Sequence, residues 1–258
     1  MTQTTDPAEV ARIFDADSRV DEDSVDAQPR YNVAPTQPLM VVLQRADEGR
    51  VVEQHRWGLI PSFAASARDG AKRINARAET IATSPSFRTS FVKRRCIVPS
   101  DGFYEWRRTG GPRQPFFLHP PEDALLAMAG LWAIWKDPGS GLWVPSAAVV
   151  TTAANRLVSA IHDRMPVLLP REAWDDWLDP ELDDREHLLS LLEPAPDDVL
   201  AMYPISTAVN SVRNEGPELL TPVTEVEAPP LPLPTFDGGQ ELIDVTDREA
   251  LHEAFDER

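Results

Sequence analysis

The sequence predicts an α+β protein with a largely antiparallel sheet system and helices packed on it. Strand-like runs recur between turn signals, several of them spaced as hairpins. Helix-period apolar spacing is confined to short segments near the N-terminus and between residues 172 and 192. With 258 residues and 42% hydrophobic side chains, the chain is large enough to bury a substantial core.

In chain order, residues 6–14 form the first helix. Asp6 is placed as N-cap and Pro7 in the first turn, Glu9 stands three residues after the cap, and Val10, Ile13 and Phe14 share one face. An acidic loop follows. Pro38–Gln44 and Val51–Trp57 read as strands joined across Arg45–Arg50 in a hairpin. Phe116–His119, Leu125–Trp135 and Leu142–Thr152 continue the pattern, the last two joined by Asp137-Pro138-Gly139-Ser140-Gly141. Glu172–Leu178 and Asp184–Leu192 are helical, separated by Asp179-Pro180, with Trp174, Trp177, Leu178, Leu188, Leu189 and Leu192 at core-facing spacings. From about Glu225 the composition turns to proline and acid, which reads as an extended mobile linker and an amphipathic helix over Asp247–Phe255. The expected division is a domain over residues 1–223 and a tail over 224–258.

Composition excludes several classes. The longest uncharged apolar run, Leu125–Trp135, is about half of the roughly 20 residues a membrane-crossing helix needs, and the polar N-terminus does not resemble a signal peptide. A cytoplasmic location is expected. One cysteine permits neither an internal disulfide nor a thiolate zinc site. The net charge of −17 argues against wholesale phosphate binding, but its distribution is uneven. Residues 50–113 hold 13 basic and 5 acidic side chains, net +8, whereas the two ends are acidic. Such a segment fits a local polyanion groove or an ordinary solvated face.

Four stretches are rich in chemically capable residues among turn formers: Tyr31–Thr36, Asn75–Thr80, Pro99–Trp106 and Ile161–Val167. They supply an amide, a carboxylate, an imidazole and two guanidinium groups. A carboxyl raised by an apolar setting and an imidazole can divide acid and base work near neutral pH, and Glu105 lies between Tyr104 and Trp106. Each residue also has a plainer reading. Asn75 could cap a turn, Glu105 could pair with an arginine, His162 could be a satisfied loop histidine, and Arg77 could be a surface charge. The tryptophans at 132, 135, 143, 174 and 177 are expected in the core.

These stretches, in this order, resemble the SOS response-associated peptidase (SRAP) family, also described as abasic-site processing proteins. The resemblance runs from about Asp6 to Val223 through Arg30–Thr36, Trp57–Pro61, Asn75–Thr80, Arg95–Pro99, Asp101–Trp106, His162–Val167 and Val209–Ser211. It implies an SRAP-like fold with a barrel-like core and peripheral helices. It further implies a monomer that acts on abasic sites in single-stranded DNA without metal or cofactor, and associates with the nucleoid when bound. In such proteins an N-terminal cysteine, exposed by autoproteolytic loss of the initiator methionine, condenses with the sugar aldehyde to a thiazolidine crosslink. By motif, Asn75, Glu105 and His162 correspond to the catalytic set: Asn75 orients, Glu105 moves protons and His162 assists ring opening. Arg77 and Arg164 correspond to phosphate contacts, and Pro35 and Trp106 line the path of the strand. The alternative from another class is a peptidase acting on proteins.

The opening departs from the family pattern Met-Cys-Gly-Arg, since this chain begins Met1-Thr2-Gln3. A thiazolidine needs amine and thiol on one residue, so Cys96 cannot substitute, and it is expected buried on a strand. Three explanations follow: Cys-Gly-Arg stands before Met1, which is favoured; the chain binds noncovalently; or Thr2, freed by removal of Met1, reacts through its amine. Phe63 stands where the family often has tryptophan.

Overall fold

The computed structural model describes residues 1–21, 27–107, 113–122 and 124–224. The expected tail helix lies outside them. Helix α1 (Pro7–Phe14) starts as its sequence predicts: the Asp6 carboxylate accepts the Ala8 N–H at 2.8 Å and Pro7 occupies the first turn. Glu9 completes no capping box and instead pairs with Arg12 one turn on. The apolar face, Val10, Ala11 and Phe14, is buried.

After β1 (Asp17–Ser18) come β2 (Pro38–Arg45) and β3 (Gly49–Trp57), an antiparallel hairpin in register from Pro38↔Arg56 to Arg45↔Gly49. Next are β4 (Asn75–Arg77), α2 (Arg88–Lys93), β5 (Arg95–Ser100), β6 (Phe103–Arg107) and β7 (Gln114–His119). The two long strands β8 (Leu126–Lys136) and β9 (Trp143–Ala153) pair antiparallel from Gly130↔Val149 to Lys136↔Trp143. The remainder comprises α3 (Arg156–Ser159), β10 (Arg164–Pro166), α4 (Trp174–Leu178), α5 (Arg185–Ser190) and β11 (Ala201–Pro204).

Strands β3, β2, β5, β8 and β9 are joined in that order, and β9 returns to β3 through Arg56↔Ser146 and Trp57↔Ala147, which closes a five-stranded barrel. The closing contact is parallel. Turn signals report only antiparallel neighbours, so the barrel is mixed where the sequence suggested antiparallel pairing. Alternation sends Leu39, Val41, Leu43, Val51, Cys96, Val98, Met128 and Val149 to one apolar cluster. Met40, Val42, Val52, Ile97, Leu131 and Val150 belong to the other, beneath Phe14, Phe91, Trp174, Trp177 and Leu188 of the helices. The first cluster therefore fills the barrel. Burial on both faces explains why these strands read as continuous apolar runs.

Arg95 joins helices to barrel. Although it is 3% exposed, its guanidinium donates to the carbonyls of Phe91, Val92, Trp177, Asp179 and Leu182, which satisfies the ends of α2 and α4. Desolvation lowers its pKa to about 10. Cys96 is buried on β5 as expected, and burial pushes its thiol well above its ordinary range. Trp135, Trp174 and Trp177 are core residues, but Trp143 is 60% exposed at the β8–β9 hairpin, contrary to the core reading. Its ring is covered by Lys136 Nζ at 5.6 Å instead. A second, three-stranded sheet in the order β11-β7-β6 presents Glu105 and Trp106. No described helix is long and apolar enough to cross a membrane.

Candidate active site at the N-terminus

Backbone pairing threads the first residues of the chain between two segments of the site. Thr2 N–H donates to Gly102 O at 2.9 Å, and Ser100 Oγ donates to Thr2 O at 2.7 Å. On the other side Gln3 and Arg30 exchange both backbone bonds. The Gln3 side chain, buried, accepts from Met40 N–H and donates to the carbonyls of Met40 and Pro99. Met1 faces Val33: its amine donates to Val33 O at 3.2 Å and its carbonyl accepts from Val33 N–H at 2.9 Å.

The loop 30–36 is held from behind. Asn32 Nδ2 reaches the carbonyls of Val209, Ser211 and Asn214, and the Glu215 carboxylate accepts from the N–H groups of Tyr31 and Asn32. Tyr104 Oη donates to Tyr31 O at 2.5 Å. Pro35 is left exposed at the rim, and Thr36 next to it has φ 74, a rare conformation for a β-branched residue.

Strand β9 gathers the opposite wall. Beyond the barrel it pairs parallel with β4, placing Asn75 opposite Val149 and Arg77 opposite Thr151, and antiparallel with β10, placing Arg164 opposite Ala153. Asn75 and Arg77 point the same way because they are two residues apart on a strand. Strand β6 supplies Glu105 and Trp106, whose indole N–H donates to Asn210 Oδ1 at 2.7 Å.

All seven residues singled out by motif, Asn75, Glu105, His162, Pro35, Arg77, Trp106 and Arg164, line one cleft of about 900 Å³ with Met1. His162 Nε2 lies 3.8 Å from Glu105 Oε2. Its Nδ1 lies 3.1 Å from both the N–H and the carbonyl of Arg164. The N–H can only donate, so it matches a neutral ring with the proton on Nε2 facing Glu105. The carbonyl can only accept, so it matches a ring with its proton on Nδ1. Either position of the ring proton thus has a partner.

Burial dominates the Met1 amine. It lowers the pKa from 8.0 to about 5; Glu105 and Glu215 pull it upward and Arg30 downward. The amine is therefore largely neutral near pH 7 and carries its lone pair.

Segment charge overstated the groove. Arg50 bonds Asp175 and Phe14 O, Arg56 bonds Thr36 O, Arg73 bonds Ser86 and Asp69 O, Lys93 bonds Pro180 O, and Arg95 is internal, so five of the 13 cations are engaged within the fold. Arg77 and Arg113 remain at the cleft. Arg164 is at the wall too, but its Nη1 and Nη2 bind Glu79 Oε1 and Oε2 at 2.6 and 2.9 Å. Sequence reasoning expected the N-terminal residue at the site and missed Glu79 and Glu215 as partners of its residues. Glu79 stood inside the Asn75–Thr80 stretch, and nothing local marked Glu215.

The fold brings Met1 into one cleft with the Asn75 amide, the Glu105 carboxylate and the His162 imidazole. The chain belongs to the SOS response associated peptidase (SRAP) family, whose description matches residues 1–212. It is 42% identical over 194 residues to the abasic site processing protein YoqW of Bacillus subtilis (strain 168), covering 74% of this chain and 85% of that protein. It is 37% identical over 227 residues to the abasic site processing protein HMCES of Gallus gallus, covering 76% of this chain and 67% of that one. A solved structure from Bacteroides thetaiotaomicron matches with TM-score 0.77 at 28% identity, covering 86% of this chain and 98% of its own.

Proposed function

We propose that this protein processes abasic sites in single-stranded DNA and holds the opened sugar covalently through its N-terminal residue. The observation that carries the reading is the convergence of the Met1 nitrogen, Asn75, Glu105 and His162 on one cleft. A ring-opened abasic sugar presents an aldehyde, which a neutral buried amine can attack. Glu105 and His162 are arranged to pass protons during carbinolamine formation and dehydration. Arg77, exposed at the rim, serves the phosphates, while Trp106 and Pro35 offer flat surfaces to an unstacked strand.

Thr2 is a poor substitute nucleophile. It is fully buried and its nitrogen is committed to Gly102 O, so freeing it would break the pairing that places the N-terminus. A Cys-Gly-Arg extension before Met1 spans at most about 10 Å, the scale of the cleft, and would bring thiol and amine of one residue to the aldehyde.

The test incubates the chain, with and without Cys-Gly-Arg ahead of Met1, with an oligonucleotide carrying one abasic site. A heat-stable shifted band from the extended chain is the expected outcome. Adducts from the unextended chain that require borohydride trapping assign the chemistry to an amine alone. Noncovalent binding without adduct from either makes the protein a binder, and cleavage of a protein substrate by the same cleft would favour the peptidase reading.

A further inference from the structure

The cleft contains two guanidinium groups from the DNA-facing motifs, and the structure treats them differently. Arg77 is exposed at the end of β4. Arg164 spends both terminal nitrogens on the Glu79 carboxylate, and Nη2 also donates to Thr151 O at 2.7 Å. Its Nε is buried without a hydrogen-bond partner, so what holds the guanidinium in place is the pair of bonds to Glu79 and the one to Thr151. Two parallel N–H···O bonds fix a guanidinium in plane and set a carboxylate charge against its own. Glu79 sits two residues after Arg77, and the hydrogen bond from Arg164, with Arg77 adding, holds its carboxyl below the ordinary range although desolvation opposes this. Glu79 is thus a standing counter-ion to Arg164, which lines the cleft.

We infer that Glu79 is a positioning residue that sets affinity for DNA: by clamping Arg164 against Thr151 it withdraws that guanidinium from phosphate binding and leaves the task to Arg77 and Arg113. Arg164 then shapes the wall beside His162, to whose Nδ1 its own backbone N–H is bonded. An intact strand, which offers phosphates but no aldehyde, is held weakly as a result. This rests on the DNA reading above.

The experiment measures binding of a fluorescent, undamaged oligothymidylate across a salt series, using the full chain and its Glu79→Gln, Arg164→Met, doubly substituted and Arg77→Ala forms, each first checked by thermal unfolding. For single strands each phosphate neutralised contributes about 0.7 to the slope of log affinity against log salt. Arg77→Ala is expected to remove about 0.7. Arg164→Met alone is expected to change the slope far less than that. Glu79→Gln, which keeps the shape and removes the charge, is expected to steepen it by about 0.7 and to tighten low-salt binding about three- to tenfold. In the double form the added slope disappears.

A Glu79→Gln slope equal to that of the unaltered chain, or loss of about 0.7 from Arg164→Met alone, overturns the inference. The second arm decides even where Glu79→Gln does not fold. Absence of salt-dependent binding by the unaltered chain overturns the DNA reading and this inference together, whereas binding with unmoved slopes overturns the inference alone.

Discussion

At the scale of single residues, the proposed chemistry rests on the approach of Glu105 to His162. Their 3.8 Å separation is longer than a hydrogen bond and short enough for a small shift or a substrate oxygen to complete a relay. Glu105→Gln keeps the shape and removes the exchangeable carboxyl. In the chain preceded by Cys-Gly-Arg, adduct formation is expected to slow by about 100-fold or more while affinity for the undamaged strand stays within about twofold. A gel time course and the binding titration check this together, and an unchanged rate would remove Glu105 from the mechanism. The amide, carboxylate, imidazole and guanidinium positions were legible because each sits in a short motif with an uncommon residue order. Glu215 was not, since a carboxylate 183 positions from Asn32 acts on a backbone N–H and leaves no local pattern.

Among the elements, the segment after β3 decides how the cleft floor is built. Gly58 has φ 122, and a Cβ there would meet Gly70 O at 2.6 Å; its N–H donates to Ala147 O at 2.8 Å, one residue after Trp57, which lines the cleft. Gly58→Ala is expected to cost about 2 to 4 kcal/mol, combining backbone strain with a contact to an immobile carbonyl. Gly49→Ala is the control. Its φ is also positive, at 78, but nothing lies within 4 Å of the added carbon, so about 1 kcal/mol is expected. Urea unfolding with unchanged slope measures both, and equal losses would show that the Gly58–Gly70 approach contributes nothing. Hairpins β2–β3 and β8–β9 and helix α1 were readable because period and turn chemistry are local. The short strands β4, β10 and β11 were not, since three or four residues carry too little periodicity to stand out.

Considering the whole molecule, Glu53 in β3 ties together charges from separate parts of the chain. Burial would raise its pKa, but hydrogen bonds from His55 and Arg45 outweigh this and lower it from 4.5 to about 2. Arg19 near β1 adds a contact at 3.4 Å. The folded protein therefore binds fewer protons than the unfolded chain between these two values. Its contribution to stability is complete above pH 4.5 and is lost as pH falls toward 2. Glu53→Gln should lower the urea midpoint near neutral pH and flatten the acid limb. A variant that keeps the full acid limb would place that dependence on other carboxylates.

What the sequence by itself determined is the set of local facts: an α+β chain, its main strands and helices, and the residue types that could do chemistry. These depend on periodicity, capping and motif order, which neighbouring residues settle among themselves. Tertiary structure alone decided that the barrel closes through a parallel contact, that residues 1–3 are threaded beside the cleft, and that Arg164 is paired while Arg77 is open. Each of those depends on burial and on partners distant along the chain, and no short stretch of sequence encodes the solvent exposure or the counter-charge that a folded neighbour supplies.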